Sequence, residues 1–290
     1  MELRVLKYFL AIIQEHNISN AAKKLHLSQP AISRQIADLE KELGTTLFKR
    51  GTKVIELTPD GEYLANQATQ ILTLTSKTVA NLGNNREIKG SIMIGCSEAP
   101  MITIIADTIN KIKKIAPNIT INLHSCDANE VQTKIQNGLF DFGFVLEPFN
   151  KINYNFLNLP GTTRWGILTR KDSALAQKSQ IIVADLDLQP LIMPQRPDSR
   201  SLLNNWLGES EHNFQVIGNY NLLNNAAILA ESGVGHVLCL DGIINTAQSN
   251  LVFIPLAPKI LIHSILIWPK TASLSPAAEL FLSQLKQILT

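Results

Sequence analysis

The order of apolar and polar positions between residues 18 and 44 predicts two helices joined by a tight turn. The first helix is short and is expected to begin at an N-cap, Ser19. Its buried face, at helical spacing, consists of Ala21, Ala22 and Leu25. His26 and Leu27 are expected to form the turn that leads into the second helix.

The second helix of the pair has start and stop signals of its own. Ser28 is expected to cap it, Pro30 lies in its first turn, where a missing N–H costs nothing, and Gly44 ends it. The positions that predict its buried face are Ile32, Ile36, Leu39 and Leu43. The opposite face is therefore left to polar side chains.

Those polar side chains are of the types that read DNA. Gln29 can form a bidentate pair with adenine, Arg34 can do the same with guanine, and Ser33 can bond a base or a phosphate. A recognition helix presents its N-terminal residues to the major groove, so Ser28 and Pro30 belong to the same predicted surface. The alternative is a polar helical hairpin without a DNA partner, and spacing alone leaves both open.

A supporting helix and a wing are predicted on either side of this pair. Residues 2–15 carry an apolar face made of Leu3, Leu6, Phe9, Leu10 and Ile13. After Gly44, two β-prone runs flank a basic turn at residues 49–53. Arg50 and Lys53 at its tip are expected to reach phosphates or the minor groove, and the alternative is a hairpin with solvated surface charges.

A long helix is predicted next, with Thr58 as its N-cap and Pro59 at its first position. Its apolar seam has coiled-coil spacing and consists of Leu64, Ala68, Ile71, Thr75, Thr78 and Leu82. No adjacent helix in the sequence is available to cover the seam, so we expect it to pair with a second copy of the chain. Residues 83–90 are predicted to be a hinge.

From Gly90 onward, short apolar strands alternate with helices, which predicts a parallel sheet with right-handed crossovers. The predicted strands are 91–95, 119–125, 140–146, 165–169, 191–193, 215–219, 237–240 and one long strand at 260–268. The predicted helices are 101–116, 129–137, 200–207, 222–231 and 277–289.

The distribution of charge distinguishes the N-terminal segment from the remainder of the chain. The chain has 290 residues, 45% of them hydrophobic and 17% charged, which is enough for two or three compact units. Residues 1–58 carry nine basic and six acidic side chains, a net charge of +3, whereas the remainder is slightly acidic. This distribution is typical of a DNA-binding end on a body with another role.

The sequence lacks the motifs and segments that are typical of several other classes of protein. We expect no signal peptide and no membrane span, and therefore a cytoplasmic protein without a membrane partner. Three widely spaced cysteines and six scattered histidines predict neither a disulfide framework nor a metal site. No G-x-S-x-G elbow, P-loop or complete dinucleotide fingerprint is present, so neither an enzyme nor a cofactor is expected.

One long motif in the N-terminal segment resembles that of a known protein family. The motif A-A-x-x-L-x-x-S-Q-P-A-I-S-x-Q-I-x-x-L-E-x-x-L-G-x-x-L-F, at residues 21–48, resembles the N-terminal signature of LysR-type transcriptional regulators. The resemblance implies a regulator that binds double-stranded promoter DNA and responds to a small-molecule effector. It also implies a homotetramer in which the effector domains pair separately from the linker helices.

The resemblance further implies an α/β architecture in three parts. These are a winged helix-turn-helix domain at 1–58, a dimerising linker helix and hinge at 59–88, and an effector-binding domain at 89–290. The last part is expected to have two lobes, like a periplasmic binding protein. By resemblance the chain crosses between them near Pro160 and near Ile265, so lobe 1 would hold about 89–160 and 266–290, and lobe 2 about 161–265.

The effector site is expected at loops that follow strands. Ligands of open α/β sheets bind outside the carboxyl ends of the strands, where helix N-termini point amides at them. Three loops qualify, at 97–101, 125–129 and 195–201, and the resemblance adds the glycine turn at 233–235. The candidate effector-binding residues are Ser97, Glu98, Ala99, Ser125, Arg196, Ser199, Arg200 and Gly233. Each of the serines could instead be a helix cap.

The charge of the effector stays open. Arg196 and Arg200 could hold a carboxylate or a phosphate in bidentate fashion. Glu98 in the facing loop either pairs with them or favours an effector that carries an amine, such as an amino acid. The target genes and the direction of regulation also stay open.

Two alternative functions remain beside the effector-responsive regulator. Cys96 and Cys126 end two strands that are expected to be neighbours, so one alternative is a redox-responsive regulator; the competing interpretation is two small buried hydrophobic residues. The other alternative is a small-molecule binding protein without a specific DNA target. An exported solute-binding protein shares the two-lobed cleft but leaves residues 1–88 without a role.

Overall fold

The computed structural model describes residues 1–49, 55–82, 88–208, 214–271 and 273–289. The chain divides into two compact units, Met1–Gly83 and Asn84–Thr290. We treat each unit by itself. The predicted hinge falls mainly on residues 83–87 and lies outside the described residues.

The N-terminal unit is helical and is built around one hydrophobic cluster. Its helices are α1 (Leu3–Glu15), α2 (Ile18–Lys24), α3 (Gln29–Leu43) and α4 (Pro59–Asn81). Helix α1 packs against the other three, and its Phe9 ring lies 5.3 Å from the ring of Phe48. The cluster includes Leu6, Ile12, Ile32 and Leu47, all fully buried. The predicted helix pair is confirmed and is held from beneath by α1.

The capping residues agree with prediction for α3 and differ for α2. Ser28 caps α3, because its hydroxyl accepts from the amide of Ala31, and Gly44 ends the helix in the left-handed conformation at φ 69°. Asn17 rather than Ser19 caps α2: its Oδ1 accepts from the amides of Ser19 at 2.8 Å and Asn20 at 3.1 Å. The prediction of a Ser19 cap is wrong because Ser19 already lies inside the first turn.

The predicted buried faces of α1 and α3 each include a terminal residue that is exposed in the structure. Leu43 is 41% exposed and Leu3 is 44% exposed, although both were expected to be buried. The buried face of α1 is instead centred on Val5, Leu6, Phe9 and Ile12. The buried side of α1 is the one that contacts α2, α3 and α4. Leu43 is the last residue of α3 and does not belong to the hydrophobic cluster.

The segment after α3 returns to the helical core as a short hairpin. Phe48 and Leu57 form an antiparallel bridge, and the amide of Lys49 donates to the carbonyl of Glu56 at 2.9 Å. The carboxylate of Glu40 accepts a hydrogen bond from the amide of Leu47 at 2.6 Å and so fixes the start of this segment. The tip of the predicted wing, with Arg50 and Lys53, lies outside the described residues.

Helix α4 buries the first two positions of the predicted seam, whereas Thr78 and Leu82 of the seam are exposed. Leu64 and Ala68 are buried in the hydrophobic cluster of the N-terminal unit, where α1 packs against α4. The expectation that only a second copy could cover these two residues is wrong, because a helix far back in the sequence does so. Further along the helix, Leu74, Val79 and Leu82 are exposed.

The C-terminal unit consists of eleven strands and five helices within the described residues. The strands are β1 (Gly90–Cys96), β2 (Ile119–Ser125), β3 (Phe142–Leu146), β4 (Tyr154–Asn158), β5 (Thr163–Arg170), β6 (Pro190–Pro194), β7 (Gln215–Tyr220), β8 (His236–Leu240), β9 (Leu251–Pro255), β10 (Leu261–Ile262) and β11 (Ser264–Pro269). The helices are α5 (Ile102–Ile115), α6 (Ala128–Gln136), α7 (Pro197–Leu207), α8 (Leu223–Glu231) and α9 (Pro276–Leu289).

These strands form two sheets, which we call lobe 1 and lobe 2. The sheet of lobe 1 has the order β2-β1-β3-β11-β4, and that of lobe 2 has the order β10-β5-β8-β6-β7 with β9 paired to β5. The chain passes from lobe 1 to lobe 2 between Asn158 and Thr163 and returns between Ile262 and Ser264. The two crossings lie beside the positions near Pro160 and Ile265 that the resemblance implied.

Both sheets are mixed, so the expectation of a purely parallel sheet is wrong. Strand β11 runs antiparallel to β3 and β4, and β5 runs antiparallel to β8, β9 and β10. The single strand expected at 260–268 is two strands, broken at His263 where the chain changes lobe. Strands β4 and β9 were missed because neither is followed by a helix, which was the pattern that defined the others. Among the described residues, no helix is long and apolar enough to cross a membrane.

Candidate DNA-binding surface and effector cleft

The N-terminal half of α3 presents an open polar face. Ser28, Gln29, Pro30 and Arg34 are exposed, and Ser33 is half-buried. On the opposite side of the helix, Ile32, Ile36 and Leu39 are buried in the cluster formed with α1 and α2. The buried stripe therefore fixes which way the polar side chains point.

Two of these side chains have hydrogen-bonding groups that no described residue engages. Gln29 and Arg34 make no hydrogen bond or ion pair with any residue that the structure describes. Ser28 by contrast uses its hydroxyl as the α3 cap. A free guanidinium and a free amide on one exposed helix face can contact phosphates or base edges of a duplex.

A cavity lies between the two lobes at the carboxyl ends of the parallel strands. From lobe 1 it is lined by Ser97, Glu98, Cys126, Asp127, Ala128 and Leu146. From lobe 2 it is lined by Trp165, Pro194, Arg196, Ser199, Tyr220, Asn221, Leu222, Leu223, Leu240 and Ile243. We refer to it as the effector cleft. Its walls are largely apolar, with a few polar groups between them.

Half of the predicted effector-binding residues line this cleft. These are Ser97, Glu98, Arg196 and Ser199. The structure places the other four outside its lining, namely Ala99, Ser125, Arg200 and Gly233. The three predicted loops, after β1, β2 and β6, all contribute residues to this lining, and the assignment of effector binding to them stays a prediction.

Each of the four excluded residues has a specific environment. Ala99 is buried in the hydrophobic core, and Ser125 is exposed at the end of β2. Arg200 donates through Nη1 to the side-chain oxygen of Asn219. Gly233, at φ 79°, follows α8 and lies near Arg170 at the amino end of β8, whereas the cleft is at the carboxyl end of that strand.

Glu98 connects lobe 1 to a helix of lobe 2. Its Oε2 accepts from the amide of Leu223, the first residue of α8, at 2.6 Å. Helix α8 has no side-chain cap from its own N-cap residue, Leu222, so this carboxylate satisfies one of its orphan amides. Within the described residues Glu98 does not pair with Arg196 or Arg200, and that possibility from the sequence is therefore wrong.

Arg196 makes the reciprocal connection, from lobe 2 to lobe 1. Its Nη2 donates to the carbonyls of Leu146 at 3.1 Å and Pro148 at 2.7 Å, and to Asp198 at 3.2 Å. The side chain is only 11% exposed. Two polar bridges therefore span the effector cleft in opposite directions.

Two buried donors in the cleft wall are left without a partner. Arg196 Nε and Trp165 Nε1 are shielded from solvent, and no described residue accepts a hydrogen bond from either. A buried donor of this kind costs free energy unless a partner is supplied. Both residues line the effector cleft, so an acceptor atom of a ligand could satisfy them.

The acidic groups of the cleft are already engaged by helices. Asp127 caps α6, because its Oδ1 accepts from the amide of Glu130 at 2.9 Å, and Glu98 serves α8 in the same way. The hydroxyl of Tyr220 donates to the carbonyl of Leu238 at 2.8 Å. Each carboxylate therefore has one oxygen committed to a helix amide, whereas Arg196 Nε and Trp165 Nε1 have no acceptor among the described residues.

Sequence reasoning missed part of the lining, above all Trp165 and the segment 220–223. Trp165 was assigned to a strand without a role in the cleft, since nothing in a single sequence distinguishes a strand residue that faces a cleft from one that faces a helix. The segment 220–223 lies before a helix N-terminus, the signal that was applied to the other three loops. It could have been found by the same rule.

The cysteines do not support the redox alternative. Burial raises the pKa of the Cys96 thiol to about 12 and that of Cys126 to about 11, so little of the reactive thiolate forms near neutral pH. Cys96 belongs to the hydrophobic cluster beneath α5 and α9, whereas Cys126 belongs to the cluster beneath α6. Both thiols are free and buried.

Family models match both units of the chain. Residues 3–62 match the bacterial regulatory helix-turn-helix protein model of the lysR family, and residues 85–290 match the LysR substrate binding domain. The second match covers the cleft and both lobes.

Two full-length relatives are similar in sequence over the whole chain. The uncharacterized HTH-type transcriptional regulator YbhD of Escherichia coli is 25% identical over 100% of this chain and 92% of its own length. The Hca operon transcriptional activator HcaR of Escherichia coli is 28% identical over 100% of this chain and 98% of its own length.

Solved structures agree on the fold. Full-length CbnR complexed with its target DNA has a TM-score of 0.77 at 20% identity, covering 99% of both chains. Full-length BenM has a TM-score of 0.54 at 23% identity, covering 99% of this chain and 96% of that one. The architecture of an N-terminal helix-turn-helix domain and a two-lobed α/β domain is thereby confirmed.

Replacing Glu98 tests the bridge to α8. We expect Glu98→Ala to lower the free energy of unfolding of the C-terminal unit by about 1 kcal/mol, because the α8 amide loses its acceptor. Glu98→Gln retains an acceptor oxygen and should lose less. The measurement is urea denaturation followed by circular dichroism. Asp107→Ala, which removes an exposed carboxylate from α5, is the matched control; an equal effect of both alanine variants would contradict the bridge.

Proposed function

We propose a mechanism for this chain on the ground that it belongs to the LysR family of bacterial transcriptional regulators. It is a DNA-binding regulator with an effector-binding domain. The proposal concerns the parts that the family assignment leaves open: the residues that contact DNA, the chemistry of the effector, and the assembly. The observation that carries it is the pair of unpartnered donors in the effector cleft.

In the proposed DNA complex, the N-terminal half of α3 enters the major groove. Gln29 and Arg34 read base edges, while Ser28, Pro30 and Ser33 approach the backbone. Arg50 and Lys53 are proposed to contact phosphates. Support comes from the exposure of the α3 face and the absence of competing partners for its two longest side chains among the described residues. CbnR, which has a similar fold, was solved on its target DNA.

Arg34→Ala and Gln29→Ala test this surface. Each should weaken binding to the selected operator by about 10-fold or more, with a smaller loss on unrelated DNA, because a bidentate base contact is specific. Fluorescence anisotropy at fixed salt measures both affinities on genomic fragments enriched by the wild-type protein. Lys41→Ala removes one exposed cation from the other end of α3 and should affect both DNAs alike. If Arg34→Ala behaves like Lys41→Ala, the assigned recognition face is wrong.

The effector is proposed to be a small molecule with an anionic oxygen and an apolar body. Arg196 Nε and Trp165 Nε1 both lack an acceptor within the described chain, and the hydroxyls of Ser97 and Ser199 lie in the same cleft. A carboxylate suits this set, since hydrogen bonds to charged groups are strong and the surrounding wall is apolar. The earlier suggestion of an amine-bearing effector has less support because Glu98 serves α8.

The effector acts on the relative arrangement of the lobes. Arg196 comes from lobe 2, yet carbonyls of lobe 1 hold its Nη2, so the position of its guanidinium in the cleft wall depends on the lobes being bridged. A ligand that accepts from Nε binds this arrangement better than an open one. It can shift the population only by that difference in affinity. The change is then transmitted to the DNA-binding units through the assembly.

Trp165→Phe tests the effector site with little change of shape. Removal of an unsatisfied donor should leave the melting temperature of the free protein unchanged or raised, whereas ligand affinity should fall by about 10-fold. The probes are small aliphatic and aromatic carboxylates paired with their primary amides, scored by thermal shift. Trp206→Phe is the matched control, because its Nε1 already donates to the carbonyl of Pro258. Stabilisation by amides as strong as that by carboxylates would contradict an anionic effector.

We propose self-association through two separate surfaces, giving a dimer of dimers. One is the second half of α4, where Leu74, Val79 and Leu82 are exposed. The other is lobe 2 around α8, where Ile228, Leu229 and Val234 are exposed beside the edge strand β7. Exposed apolar side chains that form a contiguous patch typically mark protein interfaces.

Ile228→Glu tests the second surface. Ile228 is 56% exposed, and a buried glutamate at a two-fold interface would be repelled by its own copy. We expect wild-type protein to sediment as a tetramer and Ile228→Glu as a dimer. Ile152→Glu, at a 72% exposed position of lobe 1, is the control and should remain tetrameric. A tetramer for Ile228→Glu would exclude this surface.

Catalysis and a resident cofactor in the cleft are not part of the proposed function. The family consists of transcriptional regulators, and the cleft residues are proposed to bind an effector without transforming it. We place the protein in the cytoplasm because promoter DNA is there.

A further inference from the structure

A cluster of metal-ligand side chains lies where β2 ends and α6 begins. His124 and Cys126 stand two positions apart along the chain, and Glu130 lies in the first turn of α6. The imidazole nitrogen, the sulfur and a carboxylate oxygen of these three residues all lie within 4.8 Å of one another. Nε2 of His124 is 3.1 Å from Oε1 of Glu130.

The backbone holds the three side chains in this arrangement. Asp127 caps α6 and so fixes the turn between Cys126 and the helix. The ring of Phe140 packs 5.6 Å from the ring of His124 and limits its rotation. The grouping therefore follows from the strand, the turn and the cap, and not from chance contact of long side chains.

A cation already lies beside two members of the cluster. The ammonium of Lys134 is 2.6 Å from Oε1 of Glu130 and 3.2 Å from Nε2 of His124. Lys134 lies one helical turn after Glu130 and is partly exposed. An ion pair of this kind is weak, and the flexible lysine stem can turn outward into solvent.

We propose that His124, Cys126 and Glu130 bind a zinc ion in place of the Lys134 ammonium. As the Zn–S bond forms, the Cys126 thiol releases its proton to solvent, His124 uses its Nε2 lone pair, and Glu130 contributes a carboxylate oxygen. A water molecule completes the tetrahedron. Lys134 keeps its protons and moves into solvent.

The donor set selects zinc over the hard cations. Thiolate, imidazole and carboxylate together suit Zn²⁺, whereas Mg²⁺ and Ca²⁺ take oxygen ligands. Zinc bonds of about 2.0–2.3 Å separate tetrahedral ligand atoms by about 3.3–3.8 Å. The three ligand atoms lie within 4.8 Å of one another, so metal binding requires side-chain rotations that bring them into that range.

Equilibrium dialysis of tag-free, reduced, full-length protein against Zn²⁺ and a competing chelator tests the site. We expect one tightly bound Zn²⁺ per chain. Co²⁺ in its place should give a near-ultraviolet thiolate-to-metal charge-transfer band. Cys126→Ala and His124→Ala should each weaken binding by more than about 10-fold, the lower bound for loss of an outer-shell partner. Cys239→Ala and His263→Ala, which lie outside the cluster, should not change it.

Lys134→Met separates a metal site from a structural ion pair. Loss of the competing ammonium should tighten Zn²⁺ binding by about 10-fold at neutral pH. Unchanged or weaker binding in Lys134→Met, or unchanged binding in Cys126→Ala and His124→Ala, would overturn the proposal. Should Cys126→Ala fail to fold by circular dichroism, the cobalt band in the wild type and in Lys134→Met decides the question.

Discussion

The amides at the start of each helix require acceptors, and this requirement decides which polar groups remain for function. In the N-terminal unit, Asn17, Ser28 and Thr58 satisfy it for α2, α3 and α4. Their side chains are thereby committed to the fold. Gln29 and Arg34 lie after the Ser28 cap, in the first half of α3. Both remain exposed and are free to contact another molecule.

In the C-terminal unit the same requirement sets the polarity of the cleft. Asp127 and Glu98 serve the N-termini of α6 and α8, so both acids of the cleft are engaged. Arg196 donates to carbonyls of lobe 1 through only one of its side-chain nitrogens, Nη2. Among the described residues of the cleft wall, the buried side-chain atoms without a partner are donors, Arg196 Nε and Trp165 Nε1, and this observation is the basis of the proposed anionic effector.

The two lobes are joined by polar and apolar contacts. The chain crosses twice, Glu98 and Arg196 reach across in opposite directions, and one hydrophobic cluster contains buried residues of both sheets. A ligand can change the populations of two lobe arrangements only if it binds one of them more tightly, which is the physical requirement for an effector-responsive switch.

Local structure could be predicted from the amino-acid sequence: the helix pair, its Ser28 and Gly44 boundaries, the open face with Gln29 and Arg34, and most strands of the C-terminal unit. These features depend on periodicity and on capping residues close in sequence. Other features became clear from the three-dimensional structure: α1 covers Leu64 and Ala68, both sheets are mixed, and Trp165 lines the cleft while Gly233 does not. The structure also showed that Glu98 binds the α8 amide and not an arginine. Each of these depends on contacts between residues far apart in the chain, and a single sequence carries no periodic signal for such contacts.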